Sequence, residues 1–500
     1  MTKTIPSRRP WQKPKWWVTI GVVLFCIFFG LVTWLKHINF QTSQFDLGNM
    51  DQIMWQTLHG HFFQMTSPVS GILQSRVAIH ADFLLLTYLP FYLVWHDPRI
   101  MMLVQVLAVA SGAWPLFWLG AKRLSPTFGA AVAIAYLFYP ALQWAVIFDV
   151  HAVVFVTPLI LWAWWAAETG HWWWSLSLLV LATFGKEEVG FVVAMMGLYW
   201  LWQTRPRWFG LTLIMFGIGW TLLMLVWAIP LARQQPGHFA LEYFSDYGQS
   251  PGKILEYLLS HPLRLLHDAL GIEGLRYMWT LLVPVGMVAL AAPEVLVLAS
   301  PEVALNILSH NPNLRTIFFH YSSVITPFIF IATVLGWSRL QSWLQRKHQH
   351  SFFGRHPRLL FAWISAWLVV SVFLWGPLPG TKYTKDALSP FIPSSYRSDV
   401  AAVKKMISAH DKLAVTNNLG PQFSQRDRLW SFPNNLAQAD GLVILEGGTY
   451  DPLPPDQIIA KVEALKNDPA FTLAYQHHQL YYFRRVAGVT PITVSTRRPG

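Results

Sequence analysis

Long apolar runs separated by short basic loops constrain this chain more than any other feature. The first run, residues 16–35, is long enough to cross a bilayer, which takes about 20 apolar residues. Charged residues make up only 12% of the 500 residues, whereas soluble proteins contain roughly 25%. The 27 Trp and 33 Phe residues are typical of the aromatic belts at membrane interfaces. The sequence therefore predicts an α-helical polytopic membrane protein.

About eleven candidate spans follow from the apolar runs, and the basic residues between them set their direction. The spans are residues 16–35, 100–120, 127–147, 152–168, 172–185, 189–204, 208–230, 277–291, 294–309, 321–340 and 359–376. Because Lys and Arg favour cytoplasmic loops, the basic N-terminus and the basic loop at 339–358 predict a cytoplasmic N-terminus and an extracytoplasmic C-terminal part. Residues 83–95 are apolar but short, which favours a re-entrant or interfacial segment.

This topology also explains the basic balance of the chain. The net charge is +12, but most Lys and Arg residues lie in loops between apolar runs, so no nucleic-acid partner is expected. The single cysteine, Cys26, lies inside the first run, which excludes a disulfide framework. The C-terminal part contains neither a glycine-rich dinucleotide motif nor a P-loop, so nucleotide binding has no support.

Composition changes after the last apolar run, which predicts a C-terminal soluble α/β domain at 380–485. Its first residues, 380–395, are rich in Pro and Ser, as in a linker. Runs at 412–416 and 441–445 predict buried strands, 456–467 predicts an amphipathic helix, and 471–475 with 479–483 predicts a hairpin. The other divisions are a cytoplasmic tail at 1–15, a transmembrane domain at 16–379 with a first outer loop at 37–98, and a disordered tail at 486–500.

Polar residues cluster on one side of the predicted spans. The acidic, basic and His residues at the extracytoplasmic ends include Asp46, Asp51, His80, Asp82, Asp149, His151, Lys186, Glu187, Glu188 and His320. Ionisable groups at membrane depth are costly, so they tend to be functional or paired. The orientation rests on the basic loops alone, so this clustering is independent support for a polar-ligand site at the outer face.

The motifs resemble those of a bacterial family of uncharacterised multi-pass membrane proteins. The shared motifs are Phe45-Asp46-Leu47-Gly48, His59-Gly60-His61, His80-Ala81-Asp82-Phe83, Tyr139-Pro140, Phe148-Asp149-Val150-His151, Lys186-Glu187, Pro301-Glu302 and His320-Tyr321. That family is similar in layout to GT-C glycosyltransferases, integral membrane enzymes that use polyprenyl-phosphate sugars and have an acidic residue in the first outer loop. By resemblance, Asp46 matches that acidic position. His80 and Asp82 stand in the reverse of the family's acid-then-His order.

The resemblance implies a GT-C-type glycosyltransferase in the bacterial cytoplasmic membrane. Such an enzyme would transfer a sugar from a polyprenyl-phosphate-linked donor to a lipid, glycan or protein acceptor at the outer face. Two other classes are open: a transporter or flippase of lipid-linked sugars, and a receptor or scaffold that binds through the outer domain. Transporters often contain inverted repeats, and this sequence shows no clear repeat. The cofactor is open, with a divalent metal ion as the candidate.

The candidate catalytic residues are Asp46, Asp51, His80 and Asp82. Glycosyl transfer from a phosphate donor needs a carboxylate that takes the acceptor's hydroxyl proton or holds a metal ion on the phosphate. For Asp46 the alternative is an N-cap, because Asp is a preferred cap and helical spacing follows it.

The candidate substrate-binding residues are Asp149, His151, Lys186, Glu187, Arg315, His320 and Tyr321. Asp46, Asp149 and His151 are also candidate ligands of a divalent metal ion, with the capping of helix ends as the alternative for Asp149 and His151. Lys186 would place a point charge on a donor phosphate, unless it forms an internal pair with Glu187 or Glu188. Arg315 would suit bidentate phosphate binding, and its alternative is a solvated loop.

Overall fold

Helices dominate the computed structural model, which describes residues 13–67, 70–203, 206–235, 237–347, 357–447 and 453–491. The helices are α1 (Pro14–Ile38), α2 (Asn49–Leu58), α3 (Leu89–Val94), α4 (Pro98–Ser111), α5 (Ala113–Arg123), α6 (Pro126–Leu137), α7 (Pro140–Ile147), α8 (Val156–Glu168), α9 (Trp172–Thr183), α10 (Val189–Trp202), α11 (Arg207–Leu222), α12 (Ile229–Arg233), α13 (Pro251–Ser260), α14 (Pro262–Ala269), α15 (Ile272–Leu282), α16 (Pro293–Leu296), α17 (Ser300–Leu308), α18 (Thr326–Lys347), α19 (Pro357–Trp375), α20 (Thr384–Leu388), α21 (Arg397–Met406), α22 (Gly420–Phe423) and α23 (Pro455–Lys466). The strands are β1 (Gln64–Thr66), β2 (Leu73–Ser75), β3 (Leu413–Val415), β4 (Leu429–Ser431), β5 (Gly441–Leu445), β6 (Phe471–His477) and β7 (Leu480–Arg485). Most of the predicted cytoplasmic tail, residues 1–12, and residues 492–500 of the predicted disordered tail lie outside these ranges.

Helices stand where the apolar runs predict them. Within the described residues, Pro14–Ile38, Pro98–Arg123 and Arg207–Arg233 are long and apolar enough to cross a membrane. If the pair α6 and α7, which is bent by 45°, counts as one span, the described residues contain up to four such helices. Pro140 follows the bend, since a proline cannot donate the backbone hydrogen bond of a continuous helix. Shorter apolar helices occur at Phe83–Val94, Ala152–Glu168, Trp172–Thr183, Val189–Trp202 and Ala362–Trp375. The count of about eleven spans stays a prediction.

Two of the predicted spans, 277–291 and 294–309, are not continuous helices. After α15 the chain passes through two 3-10 turns, between which Gly286 and Met287 take positive φ values of 62° and 60°. Pro293 then begins α16, and a further 3-10 turn separates α16 from α17. These backbone breaks are incompatible with one regular helix through either run.

The segment at 231–275 was expected to be a long polar connection, and it contains helices α12, α13, α14 and the start of α15 instead. Several of its apolar side chains are strongly exposed, among them Leu259, Leu263 and Ile272. Amphipathic helices with exposed apolar faces are typical of the membrane interface.

Close contact between α10 and α11 fixes the end of the bundle that bears Glu187. A Cβ on Gly190 would lie 2.3 Å from the carbonyl oxygen of Gly217, so only glycine permits this approach. Next to this contact, the Thr221 hydroxyl donates to the Glu187 carbonyl at 2.8 Å. The start of α10 and the end of α11 therefore hold the Glu187 backbone in place.

The C-terminal part contains a mixed five-stranded sheet in the order β4-β3-β5-β7-β6. β3 pairs in parallel with β4 and β5, while β7 is antiparallel to β5 and β6. Side chains along β5 alternate between faces: Leu442 and Ile444 pack in the cluster that contains α23, and Val443 packs in the cluster that contains α21. The predicted strands, helix and hairpin occupy their expected places, and β4 is an addition.

The sheet packs directly on the first outer loop through buried hydrogen bonds, which we call the docking contact. Its members are Gln44, Asp51, Gln52, Gln56 and Gly71 on the loop side and Asn417, Ser424, Arg426 and Trp430 on the sheet side. The Gln52 amide donates to the Arg426 carbonyl at 3.0 Å, and the Trp430 indole donates to the Gly71 carbonyl at 2.8 Å. The first outer loop is thus held between the membrane helices and the sheet.

Candidate functional site

Asp46 lies inside a helical turn rather than at its cap. The turn Gln44–Gly48 precedes α2, and the Ser43 hydroxyl caps it by accepting the Phe45 N–H at 3.1 Å. The Asp46 carboxylate instead lies 3.2 Å from Nε2 of His151, with 24% of its side chain exposed. Capping therefore does not account for Asp46, whose carboxylate is partly accessible and paired with an imidazole.

His151 sits in a stack of rings. The centroid of its imidazole lies 3.8 Å from that of His320, at an interplanar angle of 20°. The Phe148 ring also stacks with His151, at a centroid distance of 5.3 Å. Gln105 of α4 fixes the backbone here, because its side chain accepts the His151 N–H and donates to the Asp149 carbonyl, both at 3.0 Å. Among the described residues, neither His151 Nδ1 nor His320 Nδ1, both buried, has a hydrogen-bond partner. Buried polar atoms are normally satisfied, so these two nitrogens are exceptions within the ring stack.

Asp149 combines a strained backbone with a buried carboxylate. Its φ of 152° lies in a region that residues other than glycine rarely adopt, and such strain tends to occur at functional sites. One carboxylate oxygen accepts the Ser43 N–H at 2.9 Å, and the other lies 3.9 Å from the Lys36 ammonium. Burial raises the pKa of Asp149 to about 7, although Lys36 favours the ionised form. Asp149 thereby ties the Asp46 turn to the C-terminal end of α1.

A second polar group is centred on Glu187. Its Oε1 lies 2.8 Å from His80 Nδ1 and 3.0 Å from His238 Nε2, while its Oε2 accepts the Ala81 N–H at 3.0 Å. Burial alone would raise the pKa of Glu187, but His80 and His238 hold it well below its usual range. The ionised carboxylate therefore orients the His80 ring through Nδ1, which leaves Nε2 as the ring nitrogen that Glu187 does not contact.

Lys186 lies between the two groups. Its ammonium pairs with the Glu188 carboxylate, and 20% of its side chain is exposed. Burial lowers the pKa of His320 well below its ordinary value, and the nearby charges of His151 and Lys186 lower it further. The Tyr321 ring lies 4.3 Å from the His320 ring. Seven of the predicted site residues therefore lie in one polar region, which we call the outer cluster: Asp46, His80, Asp149, His151, Lys186, Glu187 and His320, with Tyr321 at its edge.

Three predicted site residues lie apart from these contacts. Asp51 is fully buried in the docking contact, where it accepts hydrogen bonds from the hydroxyls of Tyr92 and Ser424. Asp82 is buried against Arg76, which binds it through Nε at 3.0 Å and Nη2 at 2.7 Å. Arg315 ends the 3-10 turn Pro312–Arg315, and its Nε is buried. The catalytic assignments of Asp51 and Asp82 gain no support from these structural partners.

The predicted metal ligands do not form a ligand set in this geometry. Among the described residues, the groups of three or more potential ligand atoms within 4.8 Å of one another are His80 with Glu187 and His238, and Asp399 with His477 and His478. Asp149 instead directs its carboxylate at Ser43 and Lys36. His238 is also a poor ligand, because its Nδ1 accepts the Ala240 N–H and its Nε2 must then keep the ring proton.

An open apolar groove of about 540 Å³ adjoins the Glu187 group. Its lining residues are Phe83, Leu86, Thr87, Leu181, Phe184 and Trp220. Phe83 is the last residue of the His80-Ala81-Asp82-Phe83 motif, and Phe184 lies three residues before Glu187, so sequence neighbours of the Glu187 group line the groove. The Trp220 indole is fixed by donating to the Thr183 carbonyl at 3.0 Å.

Sequence reasoning missed two residues that contact the outer cluster, Lys36 beside Asp149 and His238 beside Glu187. Lys36 offered a signal, because a basic residue at the outer end of a span departs from the preference of Lys for the cytoplasmic side. His238 offered none, since it is one His in a segment expected to be a polar connection. Its place beside Glu187 depends on the fold of the whole 231–275 segment.

Residues 36–468 match the model of a family described as predicted membrane proteins, DUF2079. The chain belongs to this family, which confirms the resemblance to an uncharacterised membrane family that the motifs indicated. No curated protein matches the chain.

The chain resembles the solved structure of ArnT in fold. The crystal structure of ArnT from Cupriavidus metallidurans bound to undecaprenyl phosphate has a TM-score of 0.53 at 12% identity, covering 95% of this chain and 99% of that chain. The Archaeoglobus fulgidus oligosaccharyltransferase, tethered with an acceptor peptide, has a TM-score of 0.43 at 10% identity, covering 85% of this chain and 65% of that chain. The ArnT likeness shows a fold of the GT-C type, and identity this low leaves the activity open.

Proposed function

We propose that this protein is a membrane glycosyltransferase that takes its sugar from a polyprenyl-phosphate-linked donor. The main support is the pairing of a partly exposed Asp46 carboxylate with His151, 3.2 Å away, inside a cluster that contains Lys186 and contacts Lys36 through Asp149. The GT-C fold supports the enzyme class. The similar ArnT was crystallised with undecaprenyl phosphate, which supports a lipid phosphate as the carrier.

In the proposed reaction Asp46 is the general base. The acceptor's hydroxyl oxygen attacks the anomeric carbon of the sugar, and its proton passes to Asp46 as the new carbon–oxygen bond forms. The bond from that carbon to the phosphate oxygen breaks, and the polyprenyl phosphate leaves with the electron pair. Nε2 of His151 holds the Asp46 carboxylate in place and stabilises its charge. The transfer requires no oxidant or reductant.

The lysines supply the positive charge that the leaving phosphate requires. Lys186 is partly exposed, and its pair with Glu188 restrains its ammonium at the cluster. A positioned ammonium stabilises negative charge that develops on the phosphate in the transition state. His80 is held by Glu187 with its Nε2 available, so it is a second contact for the phosphate or for a sugar hydroxyl.

The apolar groove is the proposed site for the lipid part of the donor. Its volume of about 540 Å³ lies in the range of small-molecule sites, about 300–1,000 Å³. Phe83, Phe184 and Trp220 offer aromatic and apolar surface to an isoprenoid chain. A lipid phosphate with its chain in this groove would place its head group toward Glu187 and Lys186.

The proposed setting is the bacterial cytoplasmic membrane, with the outer cluster and the C-terminal sheet on the extracytoplasmic side. The acceptor class stays open among lipid, glycan and protein. The reaction would then use donors that are presented at the outer leaflet of the bilayer.

The direct test is donor turnover by the purified protein in nanodiscs. A panel of polyprenyl-phosphate sugars with mixed acceptors is supplied, and free polyprenyl phosphate is measured, with identically prepared Asp46→Asn protein as the control for contaminating enzymes. We expect release by the wild type alone and competition by added undecaprenyl phosphate. Equal release by both proteins, or none across the panel while the wild type moves lipid-linked sugars between leaflets, would contradict the proposal.

A further inference from the structure

A second cluster of potential ligands lies in the C-terminal sheet, where the β6–β7 hairpin meets α21. His477 ends β6 and His478 follows in the turn, while Asp399 stands in the first turn of α21. Nδ1 of His477 lies 2.9 Å from Asp399 Oδ1, and Nδ1 of His478 lies 3.6 Å from Oδ2. The two imidazoles approach different oxygens of one carboxylate.

The turn places two adjacent imidazoles on the same side, which a regular strand would not do. Successive side chains of a strand point to opposite faces of the sheet. His478 escapes this alternation through a left-handed backbone with φ of 49°. This conformation is uncommon outside glycine, although His tolerates it better than most residues. The consequence is a pair of rings whose centroids are 4.0 Å apart and which face one acidic group.

Asp399 is buried, while the imidazoles are open to solvent. The side chain of Asp399 is 6% exposed, whereas those of His477 and His478 are 57% and 58% exposed. Oδ1 accepts the Tyr475 hydroxyl at 3.0 Å, and Oδ2 is buried without a hydrogen-bond partner among the described residues. The ion pair with His478, at 3.6 Å, is too long to be a hydrogen bond. The carboxylate thus faces one accessible ring nitrogen with each of its oxygens, and Oδ2 is the buried oxygen that a bound cation would satisfy.

We propose that Asp399, His477 and His478 bind a divalent transition metal ion of the Zn²⁺ class. Two imidazole nitrogens and one carboxylate oxygen are a donor set that Zn²⁺ accepts, and the three ligand atoms lie within 4.8 Å of one another. The Tyr475 hydroxyl would orient the carboxylate as an outer hydrogen-bond partner. Solvent would complete the coordination, because both rings are more than half exposed.

The bound ion would join the hairpin to the helix that anchors the sheet to the membrane part. α21 begins at Arg397, whose Nε donates to Asn39 Oδ1 at 2.9 Å, immediately after α1. Val400 and Val403 of α21 pack in the same apolar cluster as Phe40. Metal binding would therefore stiffen the sheet at its junction with the first outer loop. This inference is independent of the proposed glycosyl transfer.

The test is Zn²⁺ binding by the full chain, purified without a polyhistidine tag and stripped with a chelator. Bound Zn²⁺ is counted by equilibrium dialysis with mass-spectrometric detection for wild type, His477→Ala/His478→Ala and His410→Ala, the last removing an exposed His outside the cluster. We expect the double variant to bind one Zn²⁺ fewer at micromolar concentration and His410→Ala to match the wild type. The difference in stoichiometry isolates this site from any ion held at His80 and Glu187.

A second measurement keeps the test valid if the double variant folds poorly. His478→Ala removes one exposed ring and should weaken binding at this site by at least about tenfold, since one ligand of three is lost. Saturating Zn²⁺ should raise the unfolding temperature of the wild type more than that of His478→Ala. Equal stoichiometry in wild type and double variant, or equal stabilisation of wild type and His478→Ala, would overturn the proposal.

Discussion

Asp46 and Asp51 lie five residues apart in one helical stretch and occupy opposite environments. Asp46 belongs to the outer cluster, where its carboxylate is 24% exposed and paired with His151. Asp51 belongs to the docking contact, where it is fully buried and accepts bonds from Tyr92 and Ser424. Asp46 lies in the turn before α2 and Asp51 in the first turn of α2, and their side chains meet different partners, His151 and Ser424.

The two carboxylates differ in how their oxygens are satisfied. In the docking contact, Asp51 Oδ1 accepts the Tyr92 hydroxyl and Oδ2 accepts the Ser424 hydroxyl, so the protein itself binds both oxygens. In the outer cluster, the Asp46 carboxylate faces His151 Nε2 at 3.2 Å and keeps 24% of its side chain exposed. A carboxylate whose oxygens are both bound by the protein stabilises the fold, whereas a partly exposed one can reach a substrate.

The largest expected difference between the regions is in turnover. Asp46→Asn should lower donor turnover by about 10²–10⁴-fold, the usual contribution of a general base, because a neutral amide cannot take a proton. The unfolding temperature should hardly change, since Ser43 rather than Asp46 caps the turn. The matched variant Asp51→Asn, a chemically identical change, should keep turnover. Loss of turnover in Asp51→Asn with full activity in Asp46→Asn would reverse the assignment of the two regions.

The next effect concerns Asp82, which the sequence grouped with the catalytic residues. Arg76→Leu leaves a buried carboxylate without its bidentate partner, which typically costs about 3–5 kcal/mol of stability. Arg76→Leu/Asp82→Leu removes both charges and should recover most of that loss, as measured by unfolding in detergent. The double variant should also turn over donor. A stable but inactive double variant would return Asp82 to the mechanism.

The sequence predicts the fold of this chain best where the hydropathy pattern of a single helix or strand determines the structure. Apolar runs located the long helices, and the run at 441–445 matches β5 residue for residue. The breaks near Gly286 were missed, because hydropathy does not register a positive φ. The helices α13 and α14 were missed as well, since their apolar residues at helical spacing lie within a polar composition.

The candidate site was likewise predictable from local sequence and topology, but not where it depends on distant residues. Topology predicts that Asp46, His151, Lys186 and His320 lie on one face, and the structure places them in mutual range. Topology does not predict which of the carboxylates is buried and hydrogen-bonded within the fold, as Asp51 is. The hydroxyl partners of Asp51 lie 41 and 373 residues away, at Tyr92 and Ser424, and nothing local to Asp51 distinguishes it from Asp46. The packing of α3 and of the C-terminal part against α2 separates them.

A third effect follows from the burial of Asp51. Burial raises its pKa from 3.8 to about 6, so the folded protein retains the Asp51 proton at pH values where the unfolded chain has released it. Stability should therefore fall as pH rises from about 4 to 6, by up to about 1.4 kcal/mol per pH unit and about 3 kcal/mol in all. Unfolding of Asp51→Asn over the same pH range should show a slope smaller by this amount. Parallel curves for wild type and variant would mean that folding does not raise the pKa of Asp51.

The smallest expected effect tests whether the outer cluster extends into the apolar groove. Trp220→Leu removes aromatic surface from the groove while leaving an apolar side chain, so it should raise KM for long-chain donors by about three- to tenfold, equivalent to about 1 kcal/mol of apolar contact, with kcat unchanged. Trp227→Leu is the matched control, because Trp227 is 60% exposed and does not line the groove. Donors with a short isoprenoid chain should have the same KM in Trp220→Leu and wild type, since they leave the groove largely empty. If Trp220→Leu instead lowered kcat alone, equally for short and long donors, Trp220 would act on the cluster through Thr183 and Glu187, and the lipid chain would have to lie elsewhere.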